Sequence, residues 1–138
     1  MSLDLTSLVA SINALDEAIG AVKSLESSLP EAGARTLRAG VIQHFEVAYE
    51  LGWKTMRRWL ENNIGSAAVD GVPRIELFRL ARENRLIDDP ELWMHFHRAR
   101  NKTSHVYGHA AAQEVFVVAE PFLAAAQELL HRLQQRNA

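Results

Sequence analysis

Apolar residues recur along this chain with the spacing of an α-helix almost from end to end. In the first part, one set falls at alternating spacings of three and four residues, which is typical of one helix face in a bundle: Leu5, Leu8, Ile12, Leu15, Ile19 and Val22. Asp4 or Ser2 precedes this set and is able to cap a helix, whereas Ser27 and Pro30 interrupt it. The pattern predicts a first helix that ends near residue 28.

A second and longer helix is predicted from about Ala32 to Asn63. Its inner face is marked by residues of the same periodicity: Leu37, Val41, Phe45, Ala48, Gly52, Met56 and Trp59. Gly52 weakens a helix interior, so we expect another helix to approach closely at this point. His44 lies between two inner positions and is expected to be a partly buried packing residue.

A loop of small residues follows, with Asp70-Gly71 as a turn signal. Pro73 then has the position of a first-turn proline, and a short third helix is predicted to end around Asn84. Four arginines are expected mostly on its solvated face, where they could add to an anion-attracting surface: Arg74, Arg79, Arg82 and Arg85.

Two further helices complete the pattern. Asp88-Asp89-Pro90 is a strong helix start, and the fourth helix that begins there is expected to end at Gly108. A last helix spans roughly Ala110–Gln135. We expect a kink at Pro121, because a proline inside a helix loses a hydrogen bond and crowds the preceding turn.

These elements predict an all-α fold. With 138 residues, 48% of them apolar, the chain is long enough for one domain with a sizeable core. Short loops make sequential helices antiparallel. We therefore expect an up-and-down antiparallel four-helix bundle with an extra short helix, formed by residues 1–138 as a single helical domain.

Composition and charge indicate the cellular location of the protein and the class of ligand that it binds. The chain has no cysteine, which excludes disulfides and thiolate-metal sites. It has no apolar run of membrane-spanning length and no signal-peptide pattern at its start, so we expect a cytoplasmic protein with no membrane partner. Residues 35–105 carry twelve basic against nine acidic residues. An anionic ligand is expected there, although this excess is too small for a general nucleic-acid binder.

Residues 100–107, with the sequence RNKTSHVY, concentrate the polar chemistry of the chain. Arg100 supplies a planar cationic fork that suits phosphate, and His105 is able to give or take a proton near neutral pH. If this stretch is helical, Asn101 and His105 lie within about 40° of each other, whereas Arg100 points about 140° away from His105. One chain therefore does not gather the whole set. We expect a homodimer in which two copies of the motif face each other across the two-fold axis.

Such a dimer would suit metal-independent RNA cleavage, but a structural interpretation of the same residues stays open. Arginine and histidine occur five residues apart often by chance. Arg100 could instead form an ion pair with an acid of the second helix, such as Glu46 or Glu50, and Tyr107 could be a half-buried aromatic at a helix end.

The other histidines give no metal-binding pattern. His95 and His97 project from nearly opposite sides of a helix, and Gly108 interrupts the pair formed by His105 and His109. The chain has no HExxH or comparable carboxylate-histidine set. We expect no metal and no cofactor.

Three separated strings carry a resemblance to a known family. FEVAYELGWKTMRRWLE in the second helix, PELW at the start of the fourth and RNKTSHVYGH after it resemble the nucleotidyltransferase substrate-binding protein family, which belongs to the HEPN superfamily of helical domains. The resemblance covers nearly the whole chain, in the same order and at similar spacing. It implies an up-and-down bundle that dimerises and is paired with a separate minimal nucleotidyltransferase encoded nearby.

The resemblance also implies roles for four residues. In related pairs the HEPN protein is an RNase toxin with an R-x4-H-x-Y motif, and the nucleotidyltransferase is its antitoxin. Arg100 and His105 match the RNase pair, Asn101 matches the polar residue after the arginine, and Tyr107 matches the tyrosine that receives AMP.

Two function classes therefore stay open. The first is a helical substrate- or nucleotide-binding subunit that completes a separate nucleotidyltransferase. The second is a metal-independent RNase toxin that AMP transfer to Tyr107 inhibits. Both use the same residues, so the sequence does not separate them.

Overall fold

The computed structural model of the chain describes residues 3–105 and 109–136, and the side chains of residues 3–102 and 112–136. This part of the chain contains five α-helices, two short 3-10 turns and no strand. The all-α prediction is confirmed. The helices are α1 (Thr6–Leu25), α2 (Glu31–Ile64), α3 (Arg74–Glu83), α4 (Pro90–His105) and α5 (His109–Arg136).

Aspartate carboxylates accept backbone hydrogen bonds at the starts of the first and fourth helices, although the N-cap residue of α1 is Leu5, which makes no side-chain cap hydrogen bond. The Asp4 carboxylate accepts a hydrogen bond from the backbone N–H of Thr6 at 3.0 Å, whereas Ser2 lies outside the described residues. At α4, the Asp89 carboxylate accepts a hydrogen bond from the backbone N–H of Leu92 at 3.1 Å. Both carboxylates satisfy N–H groups that a helix start leaves without a partner within the helix.

The other boundaries follow the sequence pattern closely. α1 ends at Leu25 and a 3-10 turn continues to residue 28. Gly71 adopts a positive φ of 73° in the turn before α3, which is a conformation that favours glycine. Pro73 precedes the first turn of α3 as its N-cap. α5 continues through Pro121, and Gly108 lies outside the described residues.

α2 is the longest helix of the described chain, and it packs against α1, α3, α4 and α5. The core contains the predicted inner faces of the helices and is centred on aromatic side chains. Phe122 makes edge-to-face contacts with Phe45, Trp93 and Phe96, with ring centroids 5.1 to 5.7 Å apart. Such tilted pairs add to the stabilisation that comes from burial.

Gly52 faces this aromatic core, where the atoms nearest to it belong to side chains and not to the backbone of a closely approaching helix. A Cβ atom built on Gly52 would lie 3.7 Å from two atoms of the Trp93 ring and 3.9 Å from Leu129. These are ordinary van der Waals distances, so Trp93 packs over the glycine while leaving space for a methyl group. Within the described residues, no helix combines the length and the apolar character needed to cross a membrane.

Candidate functional site

Arg100 lies on α4 and points toward two acids of α2. Its Nη1 atom is 3.3 Å from a carboxylate oxygen of Glu46, and its Nε atom is 3.6 Å from a carboxylate oxygen of Glu50. The two glutamates are four residues apart and therefore lie on one face of α2. The ion pairs that the sequence suggested as an alternative are present in the structure.

Glu50 joins Arg100 to a second group of side chains. One of its oxygens accepts a hydrogen bond from the indole N–H of Trp53 at 3.1 Å, and Lys54 lies 3.8 Å away. The guanidinium carbon of Arg74 lies 3.6 Å from the centre of the Trp53 ring, which is a cation-π contact. The acids of α2 thus hold Arg100 in a defined orientation within a partly buried polar cluster.

A chain of hydrogen bonds runs from α3 across α2 to α4. Arg74 Nη1 donates to the Tyr49 hydroxyl at 3.0 Å and lies 3.2 Å from Nδ1 of His97. The Tyr49 hydroxyl is 2.9 Å from the same Nδ1 atom. On the other side of the ring, Nε2 of His97 is 3.3 Å from the amide nitrogen Nδ2 of Asn101. Asn101 is therefore connected to buried groups of two other helices.

Burial controls the protonation of this chain of hydrogen bonds. It raises the pKa of the fully buried Tyr49 hydroxyl well above its ordinary value, and the Arg74 guanidinium offsets part of that rise. Burial also lowers the pKa of His97, and the positive charge of Arg74 lowers it further. Both shifts favour the neutral form of the group. Tyr49 is therefore a protonated phenol and His97 a neutral imidazole at pH 7.

The structure brings two of the four predicted site residues together. Arg100 and Asn101 lie on the side of α4 that faces the α2 cluster, and Asn101 is exposed. The backbone of α4 continues to His105, one helical turn beyond Asn101. The side chain of His105 and the whole of Tyr107 lie outside the described residues.

Tyr49, Arg74 and His97 belong to the cluster although the sequence did not indicate it. The expectation that Arg74 belongs to a solvated face is wrong, because this side chain is partly buried against Trp53 and Tyr49. His97 looked only like a poor metal ligand. Tyr49 follows Phe45 by four residues and so extends the inner face of α2, which is the one signal that the sequence carried.

The opposite side of α4 has a different character. A groove between α4 and α5 is lined by His95, Arg98, Ala99 and several residues of α5. Lys102 and Glu114 form an ion pair across it at 2.6 Å. Among the residues with described side chains, no three histidines or acids come together in a way that could hold a metal ion.

This fold and this site define a class: a small helical domain with a polar cluster around an arginine. The family described as "Nucleotidyltransferase substrate binding protein like" matches residues 3–135, and the chain belongs to that family. The resemblance seen in the three sequence strings is thereby confirmed.

Individual relatives agree with this assignment. The chain is 37% identical over 103 residues to a probable ribonuclease HepT of Haemophilus influenzae, with 74% of this chain and 70% of the relative aligned. A solved Haemophilus influenzae structure, described as revealing the fold of a substrate binding domain of a nucleotidyltransferase, has a TM-score of 0.88 and 30% identity. The match covers 95% of this chain and 99% of the other.

A solved structure of a Thermus thermophilus protein has a TM-score of 0.64 and 26% identity to this chain. The match covers 86% of this chain and 98% of the other. It supports the same helical fold.

Proposed function

We propose that this chain is the substrate- or nucleotide-binding subunit of a two-component, toxin-antitoxin-like system and that it pairs with a separately encoded minimal nucleotidyltransferase. The observation that carries the proposal is the cluster on α4, where Arg100 is oriented by Glu46 and Glu50 and Asn101 is exposed beside it. A guanidinium and an amide donate hydrogen bonds to phosphate oxygens. The ligand is a nucleotide or a stretch of RNA.

The charges of the cluster suit a single phosphate group. Arg74, Lys54 and Arg100 are cations, and Glu46 and Glu50 are the acids placed among them. Three positive charges against two negative ones leave a small positive excess. Such an excess attracts one or two negative charges without creating the strong field that draws any polyanion.

A metal-independent RNase activity is the second candidate, and the name of the Haemophilus relative favours it. RNA cleavage without a metal needs a base for the 2′-hydroxyl proton and an acid for the leaving 5′-oxygen. His105 would perform this proton transfer, and Arg100 with Asn101 would stabilise the charge that develops on the phosphate. A homodimer would provide a second histidine.

One set of experiments tests both proposals. The chain is co-expressed with the nucleotidyltransferase encoded beside it, and co-purification of the two is expected. Failure to form a complex would overturn the pairing.

The purified chain is then incubated with labelled RNA in the presence of a chelator. Cleavage by the wild type that His105→Ala abolishes and His95→Ala retains would support the RNase proposal, because His95 is an exposed histidine on the other side of α4. Equal cleavage by the wild type and His105→Ala would contradict it.

A further inference from the structure

The groups around His97 Nδ1 favour one of the two positions for the ring proton. A guanidinium has only N–H donors, and Arg74 Nη1 lies 3.0 Å from the Tyr49 oxygen and 3.2 Å from His97 Nδ1. A proton on Nδ1 would point at this cation. The phenol proton of Tyr49, in contrast, has an acceptor 2.9 Å away if Nδ1 is unprotonated. These contacts favour Nδ1 as the acceptor and a proton on Nε2 of the neutral ring.

This proton in turn determines the orientation of Asn101. An Nε2–H group needs an acceptor, but the Asn101 atom placed 3.3 Å from it is the amide nitrogen Nδ2, which only donates. The amide oxygen must then face the imidazole, because the amide nitrogen is itself a donor. A rotation of the side-chain amide by half a turn exchanges the oxygen and the nitrogen, and the side chain occupies the same space in both orientations. Its NH2 group is then directed away from His97.

We propose that His97 is a positioning residue that holds Asn101 with its NH2 group outward, so that the amide donates to a phosphate group bound beside Arg100. Tyr49 and Arg74 keep the imidazole in the tautomer that this requires. The inference rests on the proposed function, since it assumes a ligand with a phosphate group. It adds three residues of α2, α3 and α4 to the binding site without placing any of them in contact with the ligand.

The tautomer is tested without any ligand. Long-range 15N–1H NMR spectra of the imidazole at neutral pH distinguish a proton on Nε2 from a proton on Nδ1. We expect the Nε2–H form for His97 in the wild type. We expect a mixture of tautomers in Tyr49→Phe, which keeps the ring but lacks the hydroxyl. A wild-type spectrum of the Nδ1–H form would overturn the inference.

The positioning role is tested by two substitutions of His97 that keep different halves of the ring. Glutamine places its amide nitrogen near the position of Nε2 and is able to donate to Asn101. Asparagine is shorter, places its amide near Nδ1 and does not reach Asn101. We expect His97→Asn to weaken ligand binding about tenfold, as does Asn101→Ala, because one hydrogen bond is lost. His97→Gln should retain most of the affinity.

Binding is measured by fluorescence anisotropy with two probes, a short labelled RNA and a labelled AMP, which separate the two possible sources of the phosphate. The melting temperature of each variant is recorded as a folding control. The double variant His97→Asn/Asn101→Ala should bind no more weakly than either single variant, because both act through one amide. Additive losses, or equal affinity of His97→Gln and His97→Asn, would overturn the inference. Failure of the wild type to bind either probe would instead overturn the proposed function.

Discussion

Arg100 lies 3.3 Å from Glu46 and 3.6 Å from Glu50, so its guanidinium reaches any ligand already oriented and partly neutralised. The two carboxylates hold the plane of the guanidinium, so the side chain would lose less conformational entropy when it binds a phosphate group. The remaining positive charge of the cluster comes from Arg74, which lies over the Trp53 ring, and from Lys54, which lies 3.8 Å from Glu50. At the scale of single residues, the ion pair is therefore compatible with the proposed binding site and does not exclude it.

The partly buried imidazole of His97 predicts a pH-dependent contribution to stability. Its pKa is lowered in the folded state by burial and by Arg74, whereas Glu50 acts in the opposite direction and Arg98 and Arg100 add to the lowering. The stabilisation is fully present above the unfolded pKa of about 6.5 and is lost as the pH falls through the lower folded pKa. The free energy of unfolding of the wild type, measured in urea, should therefore fall as the pH is lowered from about 7.5 to about 5.

His97→Gln is the control for this effect, because glutamine does not titrate. The variant should lose less unfolding free energy than the wild type over the same pH interval. The same loss in both proteins would show that other groups cause it.

Tyr107 is predicted to be the residue that AMP transfer modifies. The chain has two tyrosines, and the other one, Tyr49, is fully buried with its hydroxyl hydrogen-bonded. A phosphate group on Tyr107, close in sequence to Arg100 and His105, would compete with RNA for the arginine. Incubation with the cognate nucleotidyltransferase, ATP and magnesium should add the mass of one AMP to the wild type.

Intact-mass spectrometry of two variants completes the test. Tyr107→Phe should stay unmodified, and Tyr49→Phe should be modified like the wild type. An unchanged wild-type mass, with a partner that is active on another substrate, would rule out this switch.

At the scale of the helices, most of the fold was predictable because its signals are local. The acidic residues Asp4 and Asp89 and the turn at Gly71 mark the helix boundaries within the sequence itself. The buried faces of the helices were predictable from the helical spacing of their apolar residues. Pairings between helices are not local: Tyr49 and His97 are 48 residues apart, and Arg74 and His97 are 23 apart. No period or spacing indicates such contacts, so the chain of hydrogen bonds required the structure.

Gly52 provides a prediction for α2. Alanine destabilises a helix interior less than glycine does. A Cβ atom at this position would lie at an ordinary contact distance of 3.7 Å from Trp93. Gly52→Ala should therefore raise the unfolding free energy by roughly 0.5–1 kcal/mol. Gly40→Ala is the matched control in the same helix, because a Cβ atom there meets nothing within 4 Å. Denaturant unfolding that shows stabilisation by Gly40→Ala but destabilisation by Gly52→Ala would mean that Trp93 tolerates no added atom.

For the whole molecule, we predict a homodimer in which the ends of the two α4 helices lie near the two-fold axis. One chain carries one copy of the Arg100 and His105 pair, whereas acid-base cleavage of RNA needs two proton-transferring groups. Apolar side chains such as Val47 and Val117 are 47% and 64% exposed and are candidates for burial between protomers. Sedimentation at micromolar concentration should show a dimer, and a monomer alone would contradict the prediction.

The lack of native cysteine makes the position of the axis testable. Lys102→Cys places a thiol at an exposed position of α4 within residues 100–107, and Arg79→Cys places one at an exposed position of α3. Mild oxidation should join two chains of Lys102→Cys and leave Arg79→Cys monomeric on a denaturing gel. The reverse result would place the axis elsewhere.

The most direct test of the binding site compares two arginines of α4. Arg100 lies in the cluster over α2, whereas Arg98 is exposed and lines the groove on the other side. The binding of a labelled RNA is measured by anisotropy for the wild type, Arg100→Gln and Arg98→Gln, which lose the same charge. Arg100→Gln should weaken binding about tenfold or more, because a charge-assisted pair is lost, and Arg98→Gln should bind nearly as the wild type does. Equal losses in the two variants, or none in Arg100→Gln, would contradict an Arg100-centred phosphate site.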